Sequence, residues 1–580
     1  MSSAAALSPA ARQSAIDAMA STTGSGSAVS GRPLDVLVVG GGIVGAGTAL
    51  DAVTRGLSVG LIEQRDFASG TSSRSSKLIH GGLRYLEMLD FSLVREALEE
   101  RGLLLTRLAP HLVKPVSFLY PLRHRGWERP YVGAGLAVYD VMAMAGKYEM
   151  GLPRHRHLFR RQVRRIAPDL RDDAFVGAVE YHDAQVDDAR LVVTVARTAA
   201  LHGALCATRT RATGFLREGE RVTGVRVTDL ESGRDLEVRA RVVVNAAGVW
   251  TDEIQDMVGR GALHVQASKG IHLVVPRDRI RSDSGIILRT PTSVLFVIPW
   301  GAHWIIGTTD TGWNLDKAHP AASRTDIDYL LGQVNKVLRE PLGHADVEGV
   351  YAGLRPLLFG ESEPTSRISR EHTVVTPVPG MVIIAGGKLT TYRLMGKDAV
   401  DAAVQAPGHP LGEGVPGSIT DRVRLVGSDG YETRSNQRAA LARTSGLRLA
   451  RVDHLLNRYG GLIDEVLVSI SQRPELARPL EGAEDYLAAE VAYAVTHEGA
   501  RHLDDVLTRR TRISIETFDR GVAAAAPTAA LMAAELGWDE QRRVEEVDHY
   551  LRRVEAERQS QLELTDHEAD EERIKVTDIV

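Results

Sequence analysis

A short apolar run, Asp35-Val-Leu-Val-Val39, leads straight into Gly40-Gly41-Gly42-Ile43-Val44-Gly45 and then into the small residues Ala46-Gly47-Thr48-Ala49. Glycines at this spacing between a strand and a helix are what a dinucleotide pyrophosphate requires. Gly40 permits the tight turn, Gly42 lets backbone N–H groups approach the pyrophosphate, and Gly45 lets the helix lie against the strand. A second strand, predicted over 57–62, ends at Glu63, 21 residues after Gly42, where a carboxylate can accept hydrogen bonds from a ribose.

The fingerprint alone does not separate one dinucleotide from another. Two further strands end in small residues: Val242-Val-Val-Asn-Ala-Ala247-Gly248-Val-Trp250 and Val382-Ile-Ile-Ala-Gly386-Gly387-Lys388. Glycine-ended strands spread over about 350 residues suit a long flavin held between two regions better than a compact NAD unit. Apolar strand-like runs alternate with helical periods from Asp35 to about Val404, which is α/β organisation. A Gly/Pro-rich stretch, Pro407 to Gly417, breaks the pattern, and a mostly helical region follows, with Pro474, Pro479 and Pro527 read as breakers.

The domain expectation is therefore a disordered N-terminal tail over 1–33, an oxidoreductase region over 34–404 and a linker over 405–420. A helical C-terminal domain over 421–561 and a charged tail over 562–580 complete it. Residues 401–580 carry 22 Lys and Arg against 33 Asp and Glu, leaving 48 against 42 for residues 1–400, so anionic ligands are expected in the first part. No basic patch interleaved with aromatics recurs, which argues against nucleic acid. The single cysteine, Cys206, excludes an internal disulfide, fits a reducing cytoplasmic location, and reads as a buried structural thiol among Ala204, Leu205 and Ala207. No uncharged apolar run reaches the ~18–20 residues of a membrane span.

The segment Thr71-Ser72-Ser73-Arg-Ser75-Ser76-Lys77-Leu-Ile-His80-Gly81-Gly82-Leu-Arg84-Tyr85-Leu-Glu87 resembles the signature of the FAD-dependent, quinone-linked glycerol-3-phosphate dehydrogenases, among the D-amino-acid-oxidase-like flavoproteins. Gly307-Thr-Thr-Asp310, Gly353-Leu-Arg355-Pro356 and Gly386-Gly387-Lys388-Leu389-Thr390-Thr391-Tyr-Arg393 carry the resemblance further. It implies an α/β fold: a Rossmann-like FAD-binding domain with an interleaved substrate-binding β-sheet region, plus an all-α C-terminal domain.

The resemblance also implies the site. FAD contacts are expected from Gly40, Gly42, Gly45, Glu63, Thr71, Ser72, Ser73, Ser75, Ser76, Lys77, His80, Gly81, Gly82, Ala247, Gly248, Trp250, Gly387, Lys388, Leu389 and Thr390. The phosphate of sn-glycerol 3-phosphate needs several charge-assisted donors, expected from Arg84, Arg355 and Lys388, with Tyr85 and Thr391 adding hydroxyls. Oxidation of the C2 alcohol to dihydroxyacetone phosphate by hydride transfer to flavin N5 also needs a base. His272, in Lys269-Gly-Ile-His272, leads; His80 is the second candidate, and Arg355 and Lys388 complete the catalytic set.

No metal is expected. His497-Glu498-Gly-Ala-Arg501-His502 imitates a zinc motif, but its second histidine falls at i+5, off the facing position. Arg154, Arg156, Arg160, Arg161, Arg164 and Arg165, interleaved with Leu158, Phe159, Val163 and Ile166, read as a segment able to lie on an anionic bilayer, with the apolar run 131–146 docking beside it. Peripheral association with the cytoplasmic membrane and a quinone acceptor follow as expectations. A homo-oligomer is left open. The alternatives are an oxidase reducing O₂ and a catalytically silent flavin-binding scaffold.

Overall fold

The structure is a computed structural model that describes residues 5–21, 31–82, 90–148, 151–259, 261–290, 294–358, 372–405, 411 and 414–579. Its first sheet centres on the strand Leu34–Val39. This strand pairs in parallel with Val59–Ile62 on one side and Arg234–Asn245 on the other, and the sheet continues in parallel to Leu205–Ala207 and Met381–Gly386. Strands buried on both faces read as continuous apolar runs. Val36 and Val38 enter the core under the helices Ile43–Thr54, Asp188–Leu201 and Tyr392–Gln405, whereas Leu37 and Val39 enter a second core on the opposite face.

The second sheet is mostly antiparallel. Its long strand Val265–Pro276 pairs with Gly349–Leu358 on one side and with His303–Gly307 and Thr311–Trp313 on the other. Gly349–Leu358 packs against Met381–Gly386, so the two sheets meet where the glycine-ended strands finish.

Three terminal expectations are corrected. Within the supposed N-terminal tail, Pro9–Ala20 is a helix capped by Ser8, whose Oγ accepts the Ala11 N–H at 3.1 Å. Burial of Ile16 and Met19 and the Arg12–Asp229 ion pair at 2.5 Å hold it, tertiary forces that an Ala/Ser-rich composition conceals. Within the supposed charged tail, Asp566–Arg573 is a helix with a Thr565/Glu568 capping box, and Asp578 pairs with Arg65 at 2.6 Å. Asp566 and Asp578 find partners in the first region, Lys269 and Arg65. Pro527 sits inside the helix Val522–Leu536 and does not break it, because Ala524, Ala525, Ala529 and Met532 bury that helix. The C-terminal region is helical, as expected, with one short hairpin, Pro479–Leu480 with Ala483–Leu487.

The arginine-rich segment also differs from expectation. Arg156–Phe159 is a strand and Arg160–Ile166 a short helix, and Leu158, Val163 and Ile166 are core residues. Of the apolar residues expected to face a bilayer, these three face the protein and Phe159 stays exposed.

Candidate active site

Both ends of the glycine loop are sterically closed to larger residues. Gly40 holds φ +116°, and a Cβ there would stand 2.6 Å from the Ala246 carbonyl oxygen. A Cβ on Gly45 would stand 1.8 Å from the Gly40 carbonyl oxygen. Gly42 caps the helix Ile43–Thr54 without a side chain of its own, and with Ser72 Oγ on the Ile43 N–H the N-terminus is a cradle of the kind that receives a pyrophosphate. Glu63, just past Val59–Ile62, accepts the Gly41 N–H at 2.7 Å and the Arg65 N–H at 2.8 Å. Burial raises its pKa, against the pull of those two bonds. This cradle, with a carboxylate one strand away, fits the FAD of the resemblance.

The serine-rich segment is a set of struts. Ser72 Oγ accepts the Ile43 N–H at 3.0 Å, and Thr71 Oγ1 donates to the Leu354 carbonyl at 2.6 Å. Ser75 donates through its N–H and Oγ to Asp188 Oδ2, at 2.9 and 2.7 Å. Lys77 Nζ donates to Asp188 Oδ1 at 2.8 Å and to the Ser73 carbonyl at 3.1 Å. The side chains of Ser75 and Lys77, expected at the cofactor, are thus turned to a buried carboxylate that needs partners. Burial, then Arg512, lowers the Lys77 pKa. Farther on, His80 N–H donates to Thr390 Oγ1 at 3.1 Å and Gly81 N–H to the Tyr139 hydroxyl at 2.9 Å, tying the segment to the end of the second glycine-ended strand.

Ala247, Gly248 and Trp250 lie just beyond Arg234–Asn245, with the Ala247 N–H held by Asn245 Oδ1 at 3.1 Å. Gly387 and Lys388 follow Met381–Gly386, and the turn Leu389–Thr391 runs into Tyr392–Gln405. That helix lies tightly against Ile43–Thr54, since a Cβ on Gly396 would be 2.6 Å from the Gly47 carbonyl carbon. Two helix N-termini therefore open at the same edge of the sheet. Thr391 is buried, and its hydroxyl faces the Lys388 carbonyl at 3.5 Å across the turn.

On the second sheet, Ser268 registers with Arg355 and His272 with Tyr351, so all four lie on one face with the bare pair Gly270 and Gly353 between them. The Arg355 guanidinium folds over Gly270, where a Cβ would meet its Nη2 at 2.5 Å. It is half-buried and fixed by Asp310 Oδ1 at 3.2 Å, Thr308 Oγ1 at 3.1 Å and the Thr309 carbonyl at 3.1 Å. His272 is buried. Its Nε2 shares a hydrogen bond with Ser76 Oγ at 2.8 Å, and its Nδ1 has no hydrogen-bond partner among the described residues. Burial, then the charges of Arg355 and Lys77, hold its pKa well below the usual value, so the ring is neutral at pH 7. A neutral imidazole beside a fixed guanidinium can take a proton from an alcohol and steady the resulting charge.

Thus His272 and Arg355 share a face of the second sheet, and Lys388 stands at the neighbouring strand end of the first. Arg84 and Tyr85 lie outside the described residues. Sequence reasoning missed Asp188, Asp310, Ser268 and Tyr351. Only Asp310 left a signal, in the Gly307-Thr-Thr-Asp310 motif. The residues of the zinc imitation are apart in role: His502 bonds Glu546 at 2.8 Å and Glu231 at 3.0 Å, His497 stacks on Tyr493, and Glu498 pairs with Arg190 at 2.7 Å.

The FAD dependent oxidoreductase family matches residues 35–401, and the C-terminal domain of alpha-glycerophosphate oxidase matches residues 418–543. The chain is 56% identical over 537 residues to glycerol-3-phosphate dehydrogenase 2 of Mycobacterium tuberculosis, covering 92% of this chain and 90% of that one. It is 36% identical over 541 residues to the mitochondrial glycerol-3-phosphate dehydrogenase of Mus musculus, covering 89% and 72%. The crystal structure of glycerol-3-phosphate dehydrogenase from Bacillus halodurans complexed with FAD matches with a TM-score of 0.75 at 28% identity, covering 95% and 97%. L-proline dehydrogenase from P. horikoshii shares the fold alone, at 0.51 and 18%. With its cradle, its two meeting sheets and these likenesses, the chain belongs to the FAD-dependent oxidoreductases and, among them, to the glycerol-3-phosphate dehydrogenases.

Proposed function

We propose that the protein oxidises sn-glycerol 3-phosphate to dihydroxyacetone phosphate and passes the electrons to a membrane quinone. The observation that carries this reading is the shared face of His272 and Arg355, a neutral base and an anchored cation on either side of the Gly270–Gly353 pair. Bound FAD would supply the acceptor for the C2 hydride. Gly40, Gly42 and Gly45 with the N-terminus of Ile43–Thr54 would hold its pyrophosphate and Glu63 its ribose. Arg355 and Lys388 bind the substrate phosphate and orient C2, and His272 takes the C2 hydroxyl proton. The dianionic phosphate opposes the fields of Arg355 and Lys77, which raises the basicity of His272 once substrate is bound. Arg84 and Tyr85 stay in the substrate set on the motif alone.

The helix Glu128–Ala145 supports the quinone and membrane part of the reading. Tyr131, Ala134, Val138, Val141 and Ala145 recur at helical spacing along its exposed side, and Trp127 and Met144 add to the same apolar surface. Among the described residues no helix is long and apolar enough to cross a membrane. This stripe is the surface we assign to peripheral docking, with Arg125 and, from the arginine segment, Arg154 and Arg161 exposed nearby in sequence to meet anionic headgroups.

Steady-state assay of the holoenzyme with a soluble quinone analogue, then with O₂ alone, tests the acceptor. Turnover of glycerol 3-phosphate with quinone and negligible peroxide with O₂ is expected. Equal turnover with O₂ would make the protein an oxidase.

A further inference from the structure

A cavity of about 100 Å³ lies behind the candidate active site, between the edge strand Gly349–Leu358, the loop at Ser73–Arg74 and the C-terminal helices. Six arginines line it: Arg74, Arg509, Arg512, Arg520, Arg553 and Arg573. Asp504 and Glu557 are the carboxylates of its wall. The C-terminal region is acidic overall, so this concentration of arginines faces inward against the trend of its own sequence.

Several of these cations are only partly compensated. Arg509 is paired with Asp66, Asp505 and the wall's Asp504, which Arg553 shares, and Arg512 with Asp187 and Asp188, so the shortfall falls on the other three. Arg520 and Arg573 share one carboxylate, Glu557, at 3.3 and 3.8 Å. Arg74 donates to the Ala318 carbonyl at 3.2 Å and has no carboxylate in ion-pair range among the described residues. Burial, then Arg65, Arg553 and Arg573, lower its pKa to about 9, and burial likewise lowers those of Arg520 and Arg573. A buried cation without a counter-charge is costly, and guanidinium forks match the oxygens of a tetrahedral oxyanion. A water needs only about 15 Å³ by the same measure, so the space admits a small dianion with its waters and is too small for a nucleotide.

We propose that this cavity is a second anion site, which takes a small phosphate-type dianion, either inorganic phosphate or the head of a phosphate monoester. Its bound anion joins Arg74 of the serine-rich loop to Arg520 and Arg573 of the C-terminal domain. Tyr351 is part of the wall between this site and the first, because it lines the cavity, stacks on His272 and donates its hydroxyl to the Ser75 carbonyl at 3.0 Å. Arg512 donates to the Ser73 carbonyl at 3.2 Å on the same wall. Occupancy therefore stiffens the strut that carries Ser76, the partner of His272. The site stands on its own residues and does not depend on the substrate assignment.

The test separates the two anion sites by calorimetric titration of holoenzyme in phosphate-free buffer. An Arg355→Ala variant weakens the substrate site by removing one of its cations, and inorganic phosphate and glycerol 2-phosphate are titrated separately. We expect this variant to bind one anion per chain, and the added Arg573→Gln substitution to weaken that binding about tenfold or more, as loss of a charge-assisted donor requires. Arg573→Lys should restore most of it. Should Arg573→Gln fail to fold, Arg520→Gln in the Arg355→Ala background is expected to give the same loss. Tighter binding of inorganic phosphate assigns the free ion, and tighter binding of the monoester assigns a phosphorylated metabolite. Absence of binding of either probe to Arg355→Ala at millimolar concentration, or binding unchanged by Arg573→Gln and Arg520→Gln, overturns the proposal.

Discussion

The His272 imidazole lies parallel to the Tyr351 phenol, with ring centroids 4.7 Å apart and planes inclined by 11°. One face of the base is thereby occupied, its Nε2 is held by Ser76, and the ring cannot swing away from the shared face with Arg355. A positioned base of this kind contributes roughly 10²–10⁴-fold to rate. His272→Asn should lower kcat by that order with a modest change in KM, measured by steady-state assay at saturating acceptor.

The acid side of the pH profile follows from the same residue. The free-enzyme pKa of His272 is held below 6.5, so kcat/KM should fall only as pH drops through that lower value, and His272→Asn should abolish this limb. The stability sign is the same. Below about pH 6.5 the unfolded chain binds a proton that the folded one refuses, so stability declines as pH falls, and less steeply in the variant. An unchanged limb in His272→Asn would assign the base elsewhere.

Glu63→Ala should purify largely without flavin. The change removes a charged acceptor for ribose and leaves the Gly41 and Arg65 N–H groups without theirs, each such bond being worth roughly 1.5–3 kcal/mol. The ratio of visible to ultraviolet absorbance of the purified protein reads the occupancy directly.

Asp188→Ala strands the buried Lys77 and removes one of the two carboxylates that hold the buried Arg512, the other being Asp187. Breaking one side of such a cluster costs roughly 3–5 kcal/mol, so thermal unfolding should show a large drop in Tm. Lys77→Met, which removes a cation already opposed by Arg512, should cost less.

These contrasts mark what was legible in the chain. Gly40, Gly45 and Glu63 could be read because backbone geometry demands those residue types at short spacing. Asp188 could not, because its partners Lys77 and Arg512 are 111 and 324 residues away and an Asp after a strand reads first as a helix cap. Leu158, Val163 and Ile166 look amphipathic whichever way they face, and only the second sheet beside them turns that side inward. The helix Pro9–Ala20 has little periodicity of its own and is held by the strands Leu205–Ala207 and Arg234–Asn245 that it covers.

The apolar stripe of Glu128–Ala145 gives a surface prediction. Val138→Glu with Val141→Glu should release the holoenzyme from sedimenting anionic vesicles, leaving turnover with a water-soluble acceptor intact, because each charge must be desolvated to enter the interface. Retained sedimentation would move the docking surface elsewhere.

Anaerobic titration of the oxidised holoenzyme with sn-glycerol 3-phosphate, followed at the flavin absorbance band, is the most direct test of the central claim. The account predicts bleaching that is stoichiometric with flavin, recovery on addition of a quinone analogue, and no bleaching by glycerol, since a site with buried cations rejects an analogue lacking its phosphate by roughly 10⁴–10⁵. A spectrum unmoved by glycerol 3-phosphate, or bleached equally by glycerol, would contradict it.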